Sequence, residues 1–418
     1  MTLLDQLVGE LHEHDAIVAA ERALADELTR RGIRFGDGLL PTYCVPFYAE
    51  SQALDAWIRS AEDLALTVED VAQEALRDPA MMRSLHLRPE ARDWVEIDPG
   101  YRTISVLARP DAIFVDGVIK YVEYNSDSPA MMAFSDHVAE CLMTLPHIAR
   151  HAAHLRIERQ LPQLHATLLA CYADYGGRDR SPTIAIVDWP GQKTRFEHAR
   201  IAEFFAHHGC PTVVCDPRSL TYTDGKLQHE GRVIDLVYRR ALFGELLERA
   251  REVEPLIAAY RAGAVCMVNP LRSYLASSKT LLAHLCANWP ASRGECPVLP
   301  TRILDAARIA ELRERGENVV LKKGESHGGL HVLLPGLASD ADRQTALDDA
   351  EKSPWIEQAY AVLPKLRVPQ AGKVHDKFYN WNPFLFGCKY AGGIARASDT
   401  PLINITLGGG LLPTVRVV

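Results

Sequence analysis

The 418-residue sequence lacks three features, and each absence excludes a class of protein. It has no apolar run approaching the roughly 18 to 20 residues of a membrane helix, and it begins with an acidic rather than a basic segment. Its nine cysteines include no Cys-x-x-Cys pair. It has no basic excess, because 46 lysines and arginines stand against 54 aspartates and glutamates. We therefore expect a cytoplasmic protein with reduced thiols and no disulfides, which binds neither membranes nor nucleic acid.

What is present is an ordinary globular composition, with 47% hydrophobic and 24% charged residues. Apolar residues recur at helical spacing from about 2 to 32, 51 to 78 and 243 to 262. Between residues 183 and 268, short apolar runs alternate with helical patterns, which predicts an open and largely parallel sheet. We predict a mixed α/β (α+β) protein with four regions: a helical N-terminal region (1–100), a hairpin followed by helices (101–180), an open-sheet unit (181–275) and a C-terminal unit with a glycine-rich loop (276–418).

A group of oxygen donors lies on two predicted neighbouring strands. Arg109-Pro-Asp111 starts the first strand, Asp116-Gly117 is a strong turn signal, and the second strand ends in Glu123-Tyr-Asn125. Magnesium prefers one or two carboxylates, completed by other oxygens, water and substrate phosphates. Arg109 adds a planar guanidinium suited to phosphate or carboxylate. The sequence therefore predicts a magnesium and phosphate site on this hairpin.

The turn decides whether these side chains share one face of the sheet. Glu123 and Asn125 are two positions apart and point the same way. A two-residue Asp-Gly turn would pair odd with even positions and place Asp111 on the far face, whereas a three-residue loop closing on Gly117 in the left-handed region would pair odd with odd. We predict the three-residue loop, which brings Arg109 and Asp111 beside the other two side chains.

A second candidate is the glycine loop between two predicted strands, in Val319-Val-Leu-Lys322-Lys-Gly-Glu-Ser-His-Gly328-Gly329-Leu-His-Val332. Glycines let backbone N–H groups approach phosphate oxygens closely, and a lysine facing the same space adds a positive charge. A surface hairpin with an ordinary glycine turn has the same pattern. Taken alone, the loop favours neither interpretation.

Two weaker signals complete the candidates. Gly191-Gln-Lys193-Thr194 is not a Walker A loop, because Gln192 and Val187 stand where that pattern requires glycine. We expect it instead to open a helix at the carboxyl edge of the sheet, where polar substrate groups bind. Arg396 lies among small residues, although an isolated arginine is more often a surface ion-pair partner.

In chain order, these motifs resemble one known family. They are Arg109-x-Asp111, Glu123-Tyr-Asn125-Ser-Asp-Ser-Pro129, Ser278-Lys279, Leu321-Lys322 with its glycine loop, Trp355-Ile-Glu-Gln358 with Leu363-Pro364, and Ala391-Gly-Gly-Ile-Ala-Arg396. Together they resemble the ATP-grasp ligases of circularly permuted type, most closely the synthetase domain of glutathionylspermidine synthetase and more loosely eukaryotic glutathione synthetase. In most ATP-grasp enzymes the acidic motif follows the glycine loop, whereas here it precedes Lys322. The resemblance implies an ATP-grasp fold with a Rossmann-like open-sheet subdomain.

The resemblance also implies roles for individual residues. Asp111, Glu123 and Asn125 would hold Mg²⁺, with two ions bridging the phosphates of ATP. The other implied roles are ATP binding by Lys279, Lys322, Gly328, Gly329, Glu357 and Gln358, catalysis by Arg109 and Arg396, and substrate binding by Ser128, Thr194, Glu197 and Arg240. The sequence departs from the family before the glycines, so a metal role for Glu325 is left open.

The implied reaction is the ATP-dependent joining of a carboxylate to an amine. ATP phosphorylates the carboxylate, and the amine then displaces phosphate from the acyl phosphate, so that ADP and phosphate are released. The substrates would be small molecules such as an amino acid, a peptide or a polyamine, and a homodimer would suit the family. Two alternatives stay open: a non-catalytic ATP-binding protein of ATP-grasp type, and a small-molecule kinase. The sequence does not identify the acid or the amine.

Overall fold

The structure is a computed structural model that describes residues 6–7, 9–325 and 331–418. The described part is a mixed α/β fold. Its α-helices are α1 (His14–Arg30), α2 (Ser51–Ala75), α3 (Pro79–Ser84), α4 (Pro89–Val95), α5 (Met132–Met143), α6 (Pro146–Ala149), α7 (Gln160–Asp174), α8 (Arg195–His207), α9 (Phe243–Glu248), α10 (Glu254–Arg261), α11 (Ser273–Ser277), α12 (Lys279–Asn288), α13 (Ala306–Arg315) and α14 (Asp340–Ala350). Its strands are β1 (Arg34–Phe35), β2 (Gly38–Leu39), β3 (Phe47–Glu50), β4 (Leu107–Val115), β5 (Val118–Asn125), β6 (Leu155–Arg156), β7 (Ile184–Val187), β8 (Thr212–Cys215), β9 (Leu220–Thr223), β10 (Lys226–His229), β11 (Arg232–Val233), β12 (Leu236–Arg239), β13 (Cys266–Val268), β14 (Thr301–Ile303), β15 (Val319–Lys323), β16 (Val332–Leu333), β17 (Trp355–Ala359), β18 (Lys365–Gln370), β19 (Lys373–Phe386), β20 (Lys389–Ser398) and β21 (Gly410–Val417).

The helices largely follow the apolar spacing of the sequence. The predicted helix over 51–78 is α2, and the predicted helix over 243–262 is divided into α9 and α10. The predicted helix over 2–32 starts outside the described residues, and α1 is its later part. No helix in the described ranges combines the length and the apolar character that a membrane crossing requires.

The largest sheet carries the predicted metal-binding hairpin. Its described strands run in the order β3-β21-β20-β19-β4-β5, with β18 paired to β19 and β6 paired to β21. Neighbours are antiparallel except β3, which runs parallel to β21. The predicted helical N-terminal region thus also contributes a strand, which pairs with the last strand of the chain.

Helix α2 covers one face of this sheet. Its buried residues recur at helical spacing, as an apolar stripe requires: Leu54, Ala61, Leu64, Ala65, Val68, Ala72 and Ala75. The ring of Trp57 packs on Phe114 of β4 and Trp381 of β19, with centroids 4.7 and 5.6 Å apart. Because side chains alternate along a strand, Asn380 and Asn382 face the opposite side of the sheet. That opposite side is where the polar residues of β4, β19 and β20 gather.

The predicted open sheet is confirmed. Strands β7, β8, β12 and β13 pair in parallel, in the order β13-β12-β7-β8. Every residue of β7, Ile184–Val187, is buried, which explains its continuous apolar run, since parallel strands are covered on both faces. A small antiparallel sheet of β9, β10 and β11, which the apolar pattern does not predict, lies between β8 and β12 in the chain.

Residues 301–359 form a unit that we call the small lobe, because it has a core of its own. Its described strands are antiparallel, in the order β14-β17-β15-β16, and they pack with α13 and α14. The core of the small lobe consists of Leu304, Ile309, Leu312, Leu321, Ala346, Leu347 and Trp355. The predicted glycine loop joins β15 to β16, and its Gly328 and Gly329 lie outside the described residues.

Candidate active site

The hairpin turn differs from the prediction. Val115 pairs with Val118, so the loop between β4 and β5 contains only Asp116 and Gly117. Both residues have positive φ, 49° and 80°, as the two-residue hairpin turn with mirror-image geometry requires. The predicted three-residue loop is therefore wrong. The Asp-Gly dipeptide adopts the tight turn that matches the right-handed twist of the two strands.

A β-bulge nevertheless brings the four predicted side chains to one face. Near the turn Ala112 pairs with Tyr121, but the next pair is Asp111 with Glu123, so Val122 is an extra residue on β5. Beyond the bulge odd positions pair with odd, and Arg109 lies opposite Asn125. The predicted grouping is confirmed, although a bulge and not the turn produces it.

The central group of the site is the carboxylate of Asp111, which is buried. Its Oδ2 accepts a hydrogen bond of 2.6 Å from Nη2 of Arg396, and its Oδ1 accepts one of 2.9 Å from Asn382. Nε of Arg396 in turn donates to Oδ1 of Asn382 at 3.0 Å. Arg396 is therefore not a surface ion-pair partner. Our sequence analysis missed Asn382 and its neighbour Asn380, although two amides spaced two apart in an apolar strand were a visible signal.

A second guanidinium lies beside the same carboxylate. Nε of Arg109 is 3.8 Å from Oδ1 of Asp111, and its Nη1 donates to the Ala130 carbonyl at 3.0 Å. Burial, together with the positive charge of Arg396, lowers the pKa of Arg109 to about 10, although Asp111 and Glu123 act in the opposite direction. Two arginines thus share the Asp111 carboxylate, which favours the binding of a further anion.

Two lysines approach the other carboxylate of the hairpin. Lys279, the first residue of α12, places Nζ 3.2 Å from Oε1 of Glu123. Lys322 of β15 donates from Nζ to the Val122 carbonyl at 3.0 Å and to Oε1 of Gln358 at 2.8 Å. Burial and the charge of Lys279 lower the pKa of Lys322 to about 8, opposed by Glu123 and Asp111. The bulged residue therefore also supplies a carbonyl that links the hairpin to the small lobe.

The two predicted residues of β17 point in opposite directions. Gln358 faces Lys322 and donates from Nε2 to the Thr301 hydroxyl at 2.8 Å. The side chain of Glu357 accepts hydrogen bonds from Arg302 and, at 2.8 Å, from Arg308. The side chain of Glu357 therefore points away from the Gln358 side, because adjacent residues of a strand face opposite sides of the sheet, and the ATP-binding role of Glu357 stays a prediction.

Two of the predicted substrate residues, Glu197 and Arg240, are buried, whereas Ser128 and Thr194 are half-buried. Glu197 accepts a hydrogen bond from the Ala133 amide at 3.2 Å, while its Oε2 has no hydrogen-bond partner in the described part of the chain. Burial raises the pKa of Glu197, although Arg240 and Arg109 oppose the shift. The hydroxyl of Ser128 donates to the Arg240 carbonyl at 2.8 Å, which fixes the loop after β5 against the end of β12.

Thr194, at the start of α8, reaches the main cavity of the site. This cavity has a volume of about 360 Å³ and lies between the hairpin, β20 and the small lobe. Its polar wall is formed by Arg109, Asp111, Glu123, Asn125, Thr194, Lys322, Gln358, Asn380 and Arg396. Its remaining walls are mainly apolar: Phe35, Leu299, Val320, Val332, Leu334, Leu363, Leu402, Ile403 and Ile405. An apolar end beside a charged end suits a ligand with a flat ring system and an anionic tail.

The sequence matches the family model of the glutathionylspermidine synthase preATP-grasp domain over residues 44–404. The chain belongs to this family. The matched range contains every predicted site residue from Arg109 to Arg396. None of the curated proteins matches the sequence significantly.

Three solved structures are similar to this chain to different degrees. A glutathione synthetase-like effector from Globodera pallida is similar with a TM-score of 0.65 at 12% identity, over 97% of this chain and 99% of that chain. A gamma-glutamylcysteine synthetase-like protein from Methylobacillus flagellatus has a TM-score of 0.45 at 11% identity, over 84% and 88%. The ATP-grasp ligase PsnB, solved with a minimal precursor, Mg and ADP, has a TM-score of 0.31 at 14% identity, over 55% and 88%. The fold is thus shared with the glutathione synthetase-like effector over nearly the whole of both chains.

Proposed function

We propose that this protein is an ATP-dependent carboxylate-amine ligase that forms an amide or peptide bond through an acyl phosphate and releases ADP and phosphate. The observation that carries the proposal is that two carboxylates, two arginines and Lys322 line one cavity with an apolar end, while Lys279 approaches the carboxylate of Glu123. The order of the motifs, with the hairpin before Lys322, supports a circularly permuted ATP-grasp arrangement. We further propose that the enzyme acts in the cytoplasm.

The cavity offers a place for each part of a nucleotide. The apolar side chains of Leu299, Val320 and Leu363 would enclose the adenine ring, and Gln358 would provide a polar group at its edge. Lys279 and Lys322 would bind the phosphates, since both ammonium groups lie by the carboxylate end of the hairpin.

The donor set of the hairpin fits magnesium. Asp111 and Glu123 supply two carboxylates and Asn125 an amide oxygen, which is the oxygen-rich type of set that this ion prefers. Among the described residues, no group of three or more His, Cys, Asp or Glu side chains could hold a metal on its own. That result agrees with an ion whose remaining ligands are phosphate oxygens and water. When bound, Mg²⁺ would neutralise negative charge on the phosphates.

The two arginines would act on the transferred phosphoryl group. The chemical step moves the terminal phosphoryl group of ATP to a substrate carboxylate, and it requires positive charge around the equatorial oxygens. Asp111 and Asn382 hold Arg396 in place for this role, and the Ala130 carbonyl holds Arg109. In the second step an amine attacks the acyl carbon, phosphate leaves, and an arginine would stabilise the tetrahedral oxyanion.

The acid and amine substrates would bind on the side of Thr194, Glu197 and Arg240. A buried carboxylate with an oxygen lacking a partner among the described residues suits an ammonium or amide group, and the guanidinium suits a carboxylate. These groups support small polar substrates such as amino acids, peptides or polyamines.

The test is a screen for ADP release over pairs of acids and amines, including amino acids, glutathione-like peptides and polyamines, with mass spectrometry of the products. We expect ADP release that requires both an acid and an amine, and a product whose mass equals their sum minus water. A phosphorylated product formed with one substrate would indicate a kinase. Nucleotide binding without turnover over the whole screen would indicate a non-catalytic binder.

The variant Glu123→Gln tests the metal assignment. It keeps the shape of the side chain but removes a charge, so we expect ADP release to fall by about 100-fold or more. Asp116→Asn is the matched control, because Asp116 lies exposed at the turn of the same hairpin. Full activity in Glu123→Gln would refute the role of the hairpin.

A further inference from the structure

Two cysteines differ from the others in accessibility. All nine cysteines lie in the described part of the chain and are unpaired, and seven of them are buried. Cys286 and Cys296 are half-buried, and both line a second cavity of about 720 Å³ that opens on the far side of the small-lobe sheet from the candidate active site. These two thiols are therefore the ones that small reagents can reach.

The two side chains also lie near each other, since both line this one cavity. Cys286 is near the end of α12, and Cys296 lies in the connection between α12 and β14. The thiol of Cys286 donates a hydrogen bond of 3.5 Å to the Leu299 carbonyl, and Cys286 is near enough to Cys296 to shift the pKa of its thiol. Hydrogen bonds from Tyr121 to Pro297 and from Leu299 to Tyr121 hold this connection along β5. These hydrogen bonds hold the connection that carries Cys296 next to α12, which carries Cys286.

The surroundings shift the pKa values of the two thiols in opposite directions. Interaction with Cys286 lowers the pKa of Cys296 to about 7, and the Val298 amide and the charge of Lys120 act in the same direction, whereas burial and Glu295 oppose them. Nζ of Lys120 is fixed nearby, because it donates to the Cys296 carbonyl at 3.2 Å and to Glu295 at 2.6 Å. The same interaction and burial raise the pKa of Cys286. One thiolate and one protonated neighbour are the two parts that disulfide formation by a peroxide needs.

A second pair of neighbouring cysteines, Cys171 and Cys266, can be compared with Cys286 and Cys296. Cys171 and Cys266 also interact with each other, but both are buried in the main core, and their hydrogen bond and burial raise the pKa of Cys266. The fold therefore brings two cysteines close together at two places. Accessibility and a stabilised thiolate occur together at Cys296.

We propose that Cys286 and Cys296 form a dithiol that hydrogen peroxide oxidises to an intramolecular disulfide. The Cys296 thiolate attacks one peroxide oxygen, the O–O bond breaks, and the sulfur becomes a sulfenic acid while the other oxygen leaves as water after protonation. The Cys286 sulfur then attacks the sulfenic sulfur, and the hydroxyl leaves as a second water as the S–S bond forms. Two electrons pass from the two sulfurs to one peroxide, so no further reactant is required.

The disulfide would lie between helix α12 and the connection that leads into the small lobe. Helix α12 starts at Lys279 beside the hairpin, and the connection after Cys296 leads into β14, where Thr301 holds Gln358. The bond would fasten this connection to α12. The inference does not depend on the proposed ligase activity, because it concerns thiols outside the candidate active site.

The experiment follows thiol loss in the full chain at pH 7 with hydrogen peroxide as the probe. Wild-type protein, Cys286→Ser, Cys296→Ser and the buried control Cys171→Ser are treated, quenched and unfolded, after which free thiols are counted and peptides are mapped by mass spectrometry. We expect the wild type and Cys171→Ser each to lose two thiols to a 286–296 crosslink. Cys286→Ser should lose one thiol, which dimedone traps as a sulfenic acid on Cys296.

The critical comparison is Cys296→Ser, which should lose thiols at least about tenfold more slowly than the wild type, because the remaining accessible thiol is mostly protonated at pH 7. Equal rates of thiol loss in Cys296→Ser and the wild type would overturn the proposal. So would a crosslink that maps to other cysteines, or a wild type that retains all its thiols. All readouts are chemical and need neither ATP nor an identified substrate.

Discussion

Lys322 provides the sharpest test of the candidate nucleotide site, because its burial couples nucleotide binding to protonation. With a pKa of about 8, the free enzyme holds this lysine mostly charged at pH 7 and mostly neutral at pH 9. A nucleotide phosphate stabilises the charged form, so binding raises the pKa and draws in a proton. If only the charged form binds well, the dissociation constant for ADP should rise about tenfold, or by about 1.4 kcal/mol, between pH 7 and pH 9.

Calorimetric titration with Mg-ADP measures this effect directly. Repeating the titration at pH 8 in buffers of different ionisation enthalpy should reveal an uptake of about half a proton per nucleotide, since the group is half charged there. Lys322→Arg is the matched control, because a guanidinium stays charged over this range and should remove the pH dependence. Lys322→Met should bind weakly at both pH values, because the positive charge is lost.

The reasoning would be refuted by a wild-type dissociation constant that stays the same between pH 7 and pH 9. An ordinary lysine, with a pKa near 10.4, would give almost no change over this interval. The same tenfold change in Lys322→Arg would assign the proton to another group.

Three further predictions concern single residues. Arg396→Ala should lower turnover by about 100-fold or more with little loss of nucleotide affinity, because its guanidinium would act on the transferred group, and equal losses in steady-state turnover and ADP affinity would contradict this role. Asp127→Ala should lower the free energy of unfolding by about 3–5 kcal/mol in urea titrations. The reason is that the buried Arg239 guanidinium, which donates to the Asp127 carboxylate at 2.6 Å, loses its anionic partner. A loss under about 1 kcal/mol would show that the pair is dispensable. Gly392→Ala should lower the midpoint of thermal unfolding, because φ is 118° and an added Cβ would lie 2.0 Å from Nε2 of Gln160; an unchanged midpoint would show that the backbone adjusts freely.

Several parts of the candidate site followed from the sequence, because they depend on neighbouring residues. Glu123 and Asn125 had to face the same way in any strand, and Asp116-Gly117 marked the hairpin. Lys322, at the end of an apolar run, lines the same cavity as Gln358. These features depend on strand alternation and turn sterics, which act within a few residues.

Other parts could not be read from local patterns. The oxygen donors of Asp111 and Glu123 share a face because of the bulge at Val122, and that bulge is coupled to Lys322, a residue 200 positions away. The sequence also could not tell which of the adjacent residues Glu357 and Gln358 faces the cavity, since the register of β17 with β14 and β15 decides it. Asn382 escaped notice because its partners, Asp111 and Arg396, lie on other strands.

By itself, the sequence determined the spacing of apolar residues in helices and strands, the Asp116-Gly117 turn, the polar residues available to the site and membership of the preATP-grasp family. The tertiary structure alone decided the pairing of β3 with β21, the phase of the hairpin beyond its bulge and the separate core of the small lobe. The physical reason is that steric preferences of the backbone act between near neighbours. Strand partners and register, by contrast, are selected by the burial of surface and the satisfaction of polar groups contributed by distant parts of the chain.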